Sequence, residues 1–354
     1  STVCRLLSGI DEELFALEFM EWIGEIVDTK GIHLAVDGKA LRAGMEKVKD
    51  FRAPMILNVI DAVTGLVVAQ MPIKNKDCEI KAIPEVLKLL DIRGSIVTTD
   101  AVGTQTQIME QILSREGHFV LMVKKNQPQS YGEIVKYFGE MSEDKKRMKE
   151  NETYRPRYPE MQEKYEEISQ KERNRDREEY RWYSVCTECS LLTKTQKEWP
   201  FVKTVGLARQ IRIPVERDAQ GNDITPDIKT FLEKGSRRRP KPVQDEETGK
   251  DIQKTGMISD MEVTAEEMGR IKREHWAVEN SLHHVLDDTF REDRSPAKKS
   301  KNNLALIRKF VYNILRISIL CGDCPEIMTE AMDDFCDDPY LRKKYVFNGI
   351  DSFY

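Results

Sequence analysis

Apolar and polar positions follow two different periods along this chain, and the changes from one period to the other divide it into segments. Residues 11–29 (DEELFALEFMEWIGEIVDT) carry apolar side chains at helical spacing behind an acidic first turn, which predicts an amphipathic helix. From residue 31 the pattern shortens to strands over 32–37 (IHLAVD), 54–62 (PMILNVIDA) and 66–73 (LVVAQMPI), with Thr64-Gly65 as the turn between the last two. Helical spacing returns at 79–90, followed by a strand at 95–100 (SIVTTD), a helix at 104–116 and a strand at 118–125 (HFVLMVKK).

A strand reached through a helical crossover lies parallel to its sheet neighbour, with a right-handed connection. Three antiparallel strands followed by two such units is the order of a ribonuclease-H-like core. The expected fold class is therefore α/β, a mixed sheet with flanking helices. Residues 139–182 interleave positive and negative charges almost without apolar positions and read as a solvated helix or linker, above all in their first half. Strands are predicted again at 181–192 and 201–215, and residues 217–255 read as loops around a short helix. A long helix is expected from 264, with Thr264 and Glu267 forming a capping box, then a second helix at 302–320 and a short aromatic tail.

Composition changes this picture in two places. The 354 residues carry 56 Lys plus Arg against 61 Asp plus Glu, a net charge of −5, which at face value disfavours a nucleic-acid partner. The charge is unevenly distributed: residues 1–30 and 317–354 each carry −5, whereas 270–316 carries +5, so the total does not exclude DNA. No apolar run reaches the roughly 18 residues that a membrane helix needs, and the acidic start offers no basic flank for a secretory signal, so a soluble, cytoplasmic protein is expected. The chain has no initiator Met and starts just before its first helix, so an upstream segment is expected. The seven cysteines include two CxxC pairs, Cys186/Cys189 and Cys321/Cys324, too far apart for a zinc ribbon; they read as reduced thiols.

Three acids stand out. Asp37 and Asp100 each close a hydrophobic strand and precede a glycine-containing turn, and the predicted order makes their strands neighbours, so both carboxylates would leave adjacent carboxyl ends. Either one alone is equally a turn-forming Asp. On the long helix, His275, Glu279 and His283 share one face at i, i+4 and i+8. That face reads either as an imidazole metal site, although HExxxH does not match the HExxH of zinc proteases, or as a single carboxylate ligand at Glu279. Carboxylates suit magnesium or manganese, hard cations that prefer oxygen. Two such ions about 4 Å apart can hold the attacking and leaving oxygens of a phosphodiester.

AVDGKALRAG (35–44), IVTTDAVGTQ (96–105), VLMVKKNQ (120–127) and REHWAVENSLHHVLDDTFREDRS (273–295) resemble the DDE transposases of bacterial insertion sequences, of the H-repeat-associated (ISAs-type) kind, over residues 31–318. The resemblance implies a ribonuclease-H-like catalytic domain with Asp37, Asp100 and Glu279 as catalytic acids and ligands of two Mg or Mn ions. It further implies hydrolysis and strand transfer at element ends, with DNA as partner and a homodimer on that DNA. Candidate DNA contacts are Lys124, Asn126, Gln127, Arg273, Trp276, Asn280, Arg291, Arg294, Lys298, Lys299 and Lys301. The expected division is 1–30 as the end of an N-terminal associated region, 31–145 and 263–318 as the catalytic domain, 146–262 as a mostly β insertion, and 319–354 as a tail. Departures from the family pattern fall at Ala40, Cys78, His284 and Asp288, none of them a member of the triad. The rival readings are a metal nuclease of the same fold without strand transfer and a non-catalytic DNA-binding remnant.

Overall fold

The computed structural model describes residues 2–41, 54–174, 176–190, 192–234, 252–295 and 300–347. The chain divides into two units, one formed by residues 1–119 with 271–354 and the other by residues 120–270.

The first unit opens with helices α1 (Thr2–Ser8) and α2 (Glu12–Gly24). Asp11 caps α2, its carboxylate accepting from the backbone N–H of Glu13 and Leu14 at 3.0 Å each. The helix expected over 11–29 ends early because the residues beyond Gly24 are tied to the sheet: the Thr29 hydroxyl donates to Asp91 O at 2.9 Å and the Ser95 hydroxyl to Thr29 O at 2.6 Å. Strands β1 (His33–Ala40), β2 (Met55–Asp61) and β3 (Val67–Ile73) form an antiparallel meander, β2 buried along its whole length. After α3 (Glu79–Lys88), β4 (Ile96–Thr99) pairs parallel with β1, Ala35 lying opposite Thr98. The order β3-β2-β1-β4 thus makes the first and fourth strands neighbours, as the crossover rule requires. Helix α4 (Thr106–Ser114) then leads into β5 (His118–Val123).

The second unit takes over within β5. It holds α5 (Pro128–Glu150), α6 (Pro159–Gln162), β6 (Tyr165–Arg173), β7 (Arg177–Cys186), α7 (Thr193–Glu198), β8 (Thr204–Pro214), α8 (Ile228–Lys234) and β9 (Gln253–Ser259). Its sheet is antiparallel, in the order β5-β9-β8-β7-β6. Helix α5 differs from the expectation in starting at Pro128, ahead of the charged stretch, and in burying Tyr131, Ile134, Phe138 and Met141; strands β6 and β9 differ as well. Edge strand β6 lies in the charged stretch read as helix or linker, because neighbouring ion pairs replace the apolar alternation that marks most strands: Arg181 to Glu172 and Arg173 to Glu178, both 2.8 Å. Strand β9 begins inside residues read as loop. Its short core of Gly256, Met257 and Ile258 is held between β5 and β8, and a Cβ on Gly256 would stand 3.2 Å from Val123 O.

Helix α9 (Ala265–Val278) starts with the expected capping box, Thr264 N donating to Glu267 at 2.8 Å and Glu267 N to the Thr264 hydroxyl at 3.2 Å. Within α9 the chain returns to the first unit, where Glu279–His283 forms a π turn followed by α10 (His284–Asp288), α11 (Lys301–Leu320), α12 (Met328–Asp337) and α13 (Pro339–Arg342). Helix α11 covers edge strand β3: the Asn313 amide donates to Val67 O at 2.7 Å and accepts from Val67 N at 3.0 Å, standing in for a strand partner. Helix α2 packs on the same helix, the Trp22 and Phe310 rings 4.6 Å apart. Cys78, Cys186, Cys189, Cys321, Cys324 and Cys336 are free thiols, and among the described residues no helix is long and apolar enough to cross a membrane.

Candidate active site

Asp37 does not close its strand as expected: it is the fifth residue of β1, which runs on through Gly38 to Ala40 paired with β2, whereas Asp100 immediately follows β4. The parallel pairing of the two strands ends at Val36 opposite Thr99, so the two acids come next, side by side. Backbone geometry fixes both carboxylates. Asp37 accepts from the N–H of Gly38 at 3.0 Å, and Asp100 accepts from the N–H of Val102 at 2.8 Å. Gly103 completes the second turn for a steric reason: a Cβ there would stand 2.4 Å from the Thr99 hydroxyl oxygen. Glu279, exposed, opens the π turn, a helix irregularity frequent at functional sites.

These acids share one field. Burial, together with the charges of Asp100, Glu79 and Glu279, pushes the Asp37 carboxyl up to about 7. Glu79 is the member that sequence reasoning missed. In the sequence it marks the start of a predicted helix, directly after the family departure at Cys78, yet it is 5% exposed, and a Cβ on Gly38 would stand 3.0 Å from its Oε1. Burial and then the charge of Asp100 raise its carboxyl too, with Lys76 opposing. An acid directly after the β2–β3 hairpin and its short connection was the available signal.

His283 faces the site, its Nδ1 3.4 Å from Asp37 Oδ2 and its buried Nε2 without a hydrogen-bond partner among the described residues. Burial, with the charges of Lys39, Lys309 and His275, holds this imidazole down at about 3, so it stands neutral at physiological pH and supplies no counter-charge to Asp37. Lys39 shares the Asp37 face of β1 but is turned to other work. Its Nζ donates to both Asp287 oxygens, at 2.7 and 2.8 Å, and lies 3.7 Å from Glu292, fastening α10 and the turn beyond it to β1.

Four carboxylates in one field, with a neutral imidazole beside Asp37, match by donor chemistry a hard divalent cation. Among the described residues no three His, Cys, Asp or Glu side chains stand close enough to hold an ion as they are.

The other candidates are dispersed. Arg273, Asn280, Arg291 and Arg294 are exposed and Trp276 and Lys301 half-buried, all in the first unit. Arg291 takes φ 51°, a left-handed turn that leads the chain out of the helix. Lys124, Asn126 and Gln127 follow β5 in the second unit, the first two exposed. Lys298 and Lys299 lie outside the described residues. The family departures His284 and Asp288 pair with each other at 3.1 Å, 67% and 62% exposed.

The transposase DDE domain family matches residues 27–220 and 221–314. Similar Escherichia coli proteins are YbfL, 29% identical over 91% of this chain and 73% of its own length, and the H repeat-associated protein YhhI, with the same identity and coverage. YncI, named as a transposase, is 28% identical over 92% of this chain and 71% of its own length. A solved piggyBac transposase synaptic complex with hairpin DNA aligns at TM-score 0.39 and 11% identity, over 91% of this chain and 58% of that one, a likeness too slight to carry an argument.

Proposed function

The chain belongs to the transposase DDE domain family, and from that premise we propose that it is the DNA transposase of an insertion sequence, with Asp37, Asp100 and Glu279 as its catalytic acids. The observation that carries this reading is the shared field of these three carboxylates, Asp37 and Asp100 side by side beyond the parallel pairing of β1 with β4 and Glu279 on the following helix, with Asp100 and Glu279 both raising the Asp37 carboxyl. The strand order and helix placement support a ribonuclease-H-like catalytic domain, with 146–262 as an insertion within it.

Asp37, Asp100 and Glu279 would hold two magnesium or manganese ions, which when bound supply charge neutralisation at the scissile phosphodiester and activation of the attacking oxygen. The chain's own residues do the rest. The Gly38 and Val102 amides fix two of the carboxylates, and neutral His283 flanks Asp37 without competing as a cation. Exposed Arg273, Arg291 and Arg294, with Lys301 and Lys124, are suited to phosphate contacts, which position DNA without reading its sequence. Asn126, Gln127, Trp276 and Asn280, with Lys298 and Lys299, complete the candidate DNA surface. The protein would act as a homodimer on the element's ends, in the cytoplasm at the nucleoid.

The test uses DNA from the ends of the insertion sequence that flanks the gene. Magnesium-dependent nicking is expected from the wild type and lost in Glu279→Gln with folding intact; nicking at the wild-type rate in that variant refutes the assignment. Joining of a pre-nicked end to target DNA separates a transposase from a nuclease that cannot transfer strands.

A further inference from the structure

Beneath the three acids runs a hydrogen-bonded chain that the reading above does not use. His33 Nδ1 lies 2.8 Å from Glu274 Oε2, His33 Nε2 lies 2.9 Å from the Thr98 hydroxyl, and that same hydroxyl lies 2.9 Å from His275 Nδ1. His33 is 5% exposed and Thr98 fully buried. The chain joins β1, β4 and α9, and each of these elements leads to one of the three acids.

The spacing is regular. On β1, His33 precedes Asp37 by four residues; on β4, Thr98 precedes Asp100 by two; on α9, His275 precedes Glu279 by four. A strand repeats every two residues and a helix about every 3.6, so each member shares a face with the acid of its own element, one step deeper in the fold. From this we infer that the Glu274–His33–Thr98–His275 chain is a positioning relay that sets the register of the helix carrying Glu279 against the strands carrying Asp37 and Asp100.

The hydroxyl makes the relay directional. A carboxylate only accepts, so His33 Nδ1–H donates to Glu274, and in the neutral ring Nε2 then accepts the Thr98 O–H. The Thr98 oxygen is left to accept from His275 Nδ1–H. A hydroxyl carries one hydrogen, so with His33 Nε2 accepting it the same oxygen is the acceptor for His275, and Thr98 serves both rings in this one polarity. A slide of α9 by one residue moves a side chain roughly 1.5 Å along the axis and about 100° around it, which breaks the bonds of both Glu274 and His275. The π turn begins at Glu279 itself, so the register fixed at Glu274 and His275 holds up to the acid and the irregularity is taken up beyond it.

This inference rests on Glu279 being a metal ligand, and the experiment separates the two. Mn2+ binding to the full chain is followed by the electron paramagnetic resonance signal of free Mn2+, with circular dichroism as the check on folding. Thr98→Val removes the hydroxyl at nearly constant volume and should weaken Mn2+ binding about 10-fold, the usual effect of losing an outer-shell partner. Thr98→Ser, which keeps the hydroxyl, should restore it. In a Glu279→Gln background Thr98→Val should cost nothing further, since the relay acts through that carboxylate. If Thr98→Val does not fold, His275→Phe reads the same non-additivity from the helix. Unchanged Mn2+ affinity, an equal loss in both backgrounds, or failure of Thr98→Ser to restore binding overturns the relay alone. Unchanged affinity in Glu279→Gln by itself overturns the ligand assignment and the relay with it.

Discussion

Lys309→Met should change how the stability of the first unit depends on pH. Lys309 lies on α11, wholly buried, with its Nζ donating to Ala305 O at 3.2 Å, and burial, only partly offset by Glu292 and Asp287, pulls its ammonium from 10.5 down to about 8. A lysine whose pKa is lower folded than unfolded holds fewer protons in the native state between those two values. Stability therefore rises with pH across the interval from about 8 to 10.5, and the full cost of burying the charge is present below 8. At about 1.4 kcal/mol per unit the interval spans about 3 kcal/mol, most of which falls between pH 7 and pH 10.

The assay is urea unfolding of wild type and Lys309→Met at matched pH values from 7 to 10, followed through Trp22, whose ring packs 4.6 Å from that of Phe310 beside the substituted position. Subtracting the variant cancels the other lysines and tyrosines that titrate in this range. Whatever methionine gains or loses in packing enters as a constant, so the wild type should improve relative to the variant by about 2 to 3 kcal/mol over the pH range. A difference that stays flat, or moves the other way, would show that Glu292 compensates the buried ammonium in full.

Gly103→Ala should destabilise by about 1 to 3 kcal/mol, because its Cβ would overlap the Thr99 hydroxyl at 2.4 Å and force open the turn that holds Asp100; thermal melts measure it, and a neutral effect refutes the steric argument. In metal-free protein Asp37→Asn should raise the melting temperature, since it removes a buried charge crowded by Asp100, Glu79 and Glu279. The same substitution should abolish the rise in melting temperature that magnesium or manganese gives the wild type, and a melting temperature raised equally by the ion in both proteins would exclude Asp37 as a ligand.

What the sequence disclosed and what it withheld have one physical basis. Periodicity revealed β1 to β5 and helices α2, α9 and α11 because their buried faces are made of apolar side chains spaced by two or by 3.6, but not α5, whose second half is almost wholly charged. It failed at β6, where ion pairs such as Arg181 with Glu172 do the work of apolar contacts, and at β9, whose buried run is too short to show a period. The acids divide in the same way. Asp37 and Asp100 announce themselves because each closes an apolar run just ahead of a glycine, although β1 runs on through Gly38 to Ala40 and only Asp100 enters a turn, and Glu279 because it lies in a long motif. Glu79 gives no such notice: an acid in the first turn of a helix is ordinary, and only the fold shows it buried against Gly38 beside Asp37. His33, Thr98 and His275 are hidden more deeply still. Each is unremarkable on its own element, and their relation arises only when β1 and β4 pair in parallel with Ala35 opposite Thr98. That pairing alone brings the His33 ring to the Thr98 hydroxyl, so a register slip between β1 and β4 would undo the relay while leaving every residue in it unchanged.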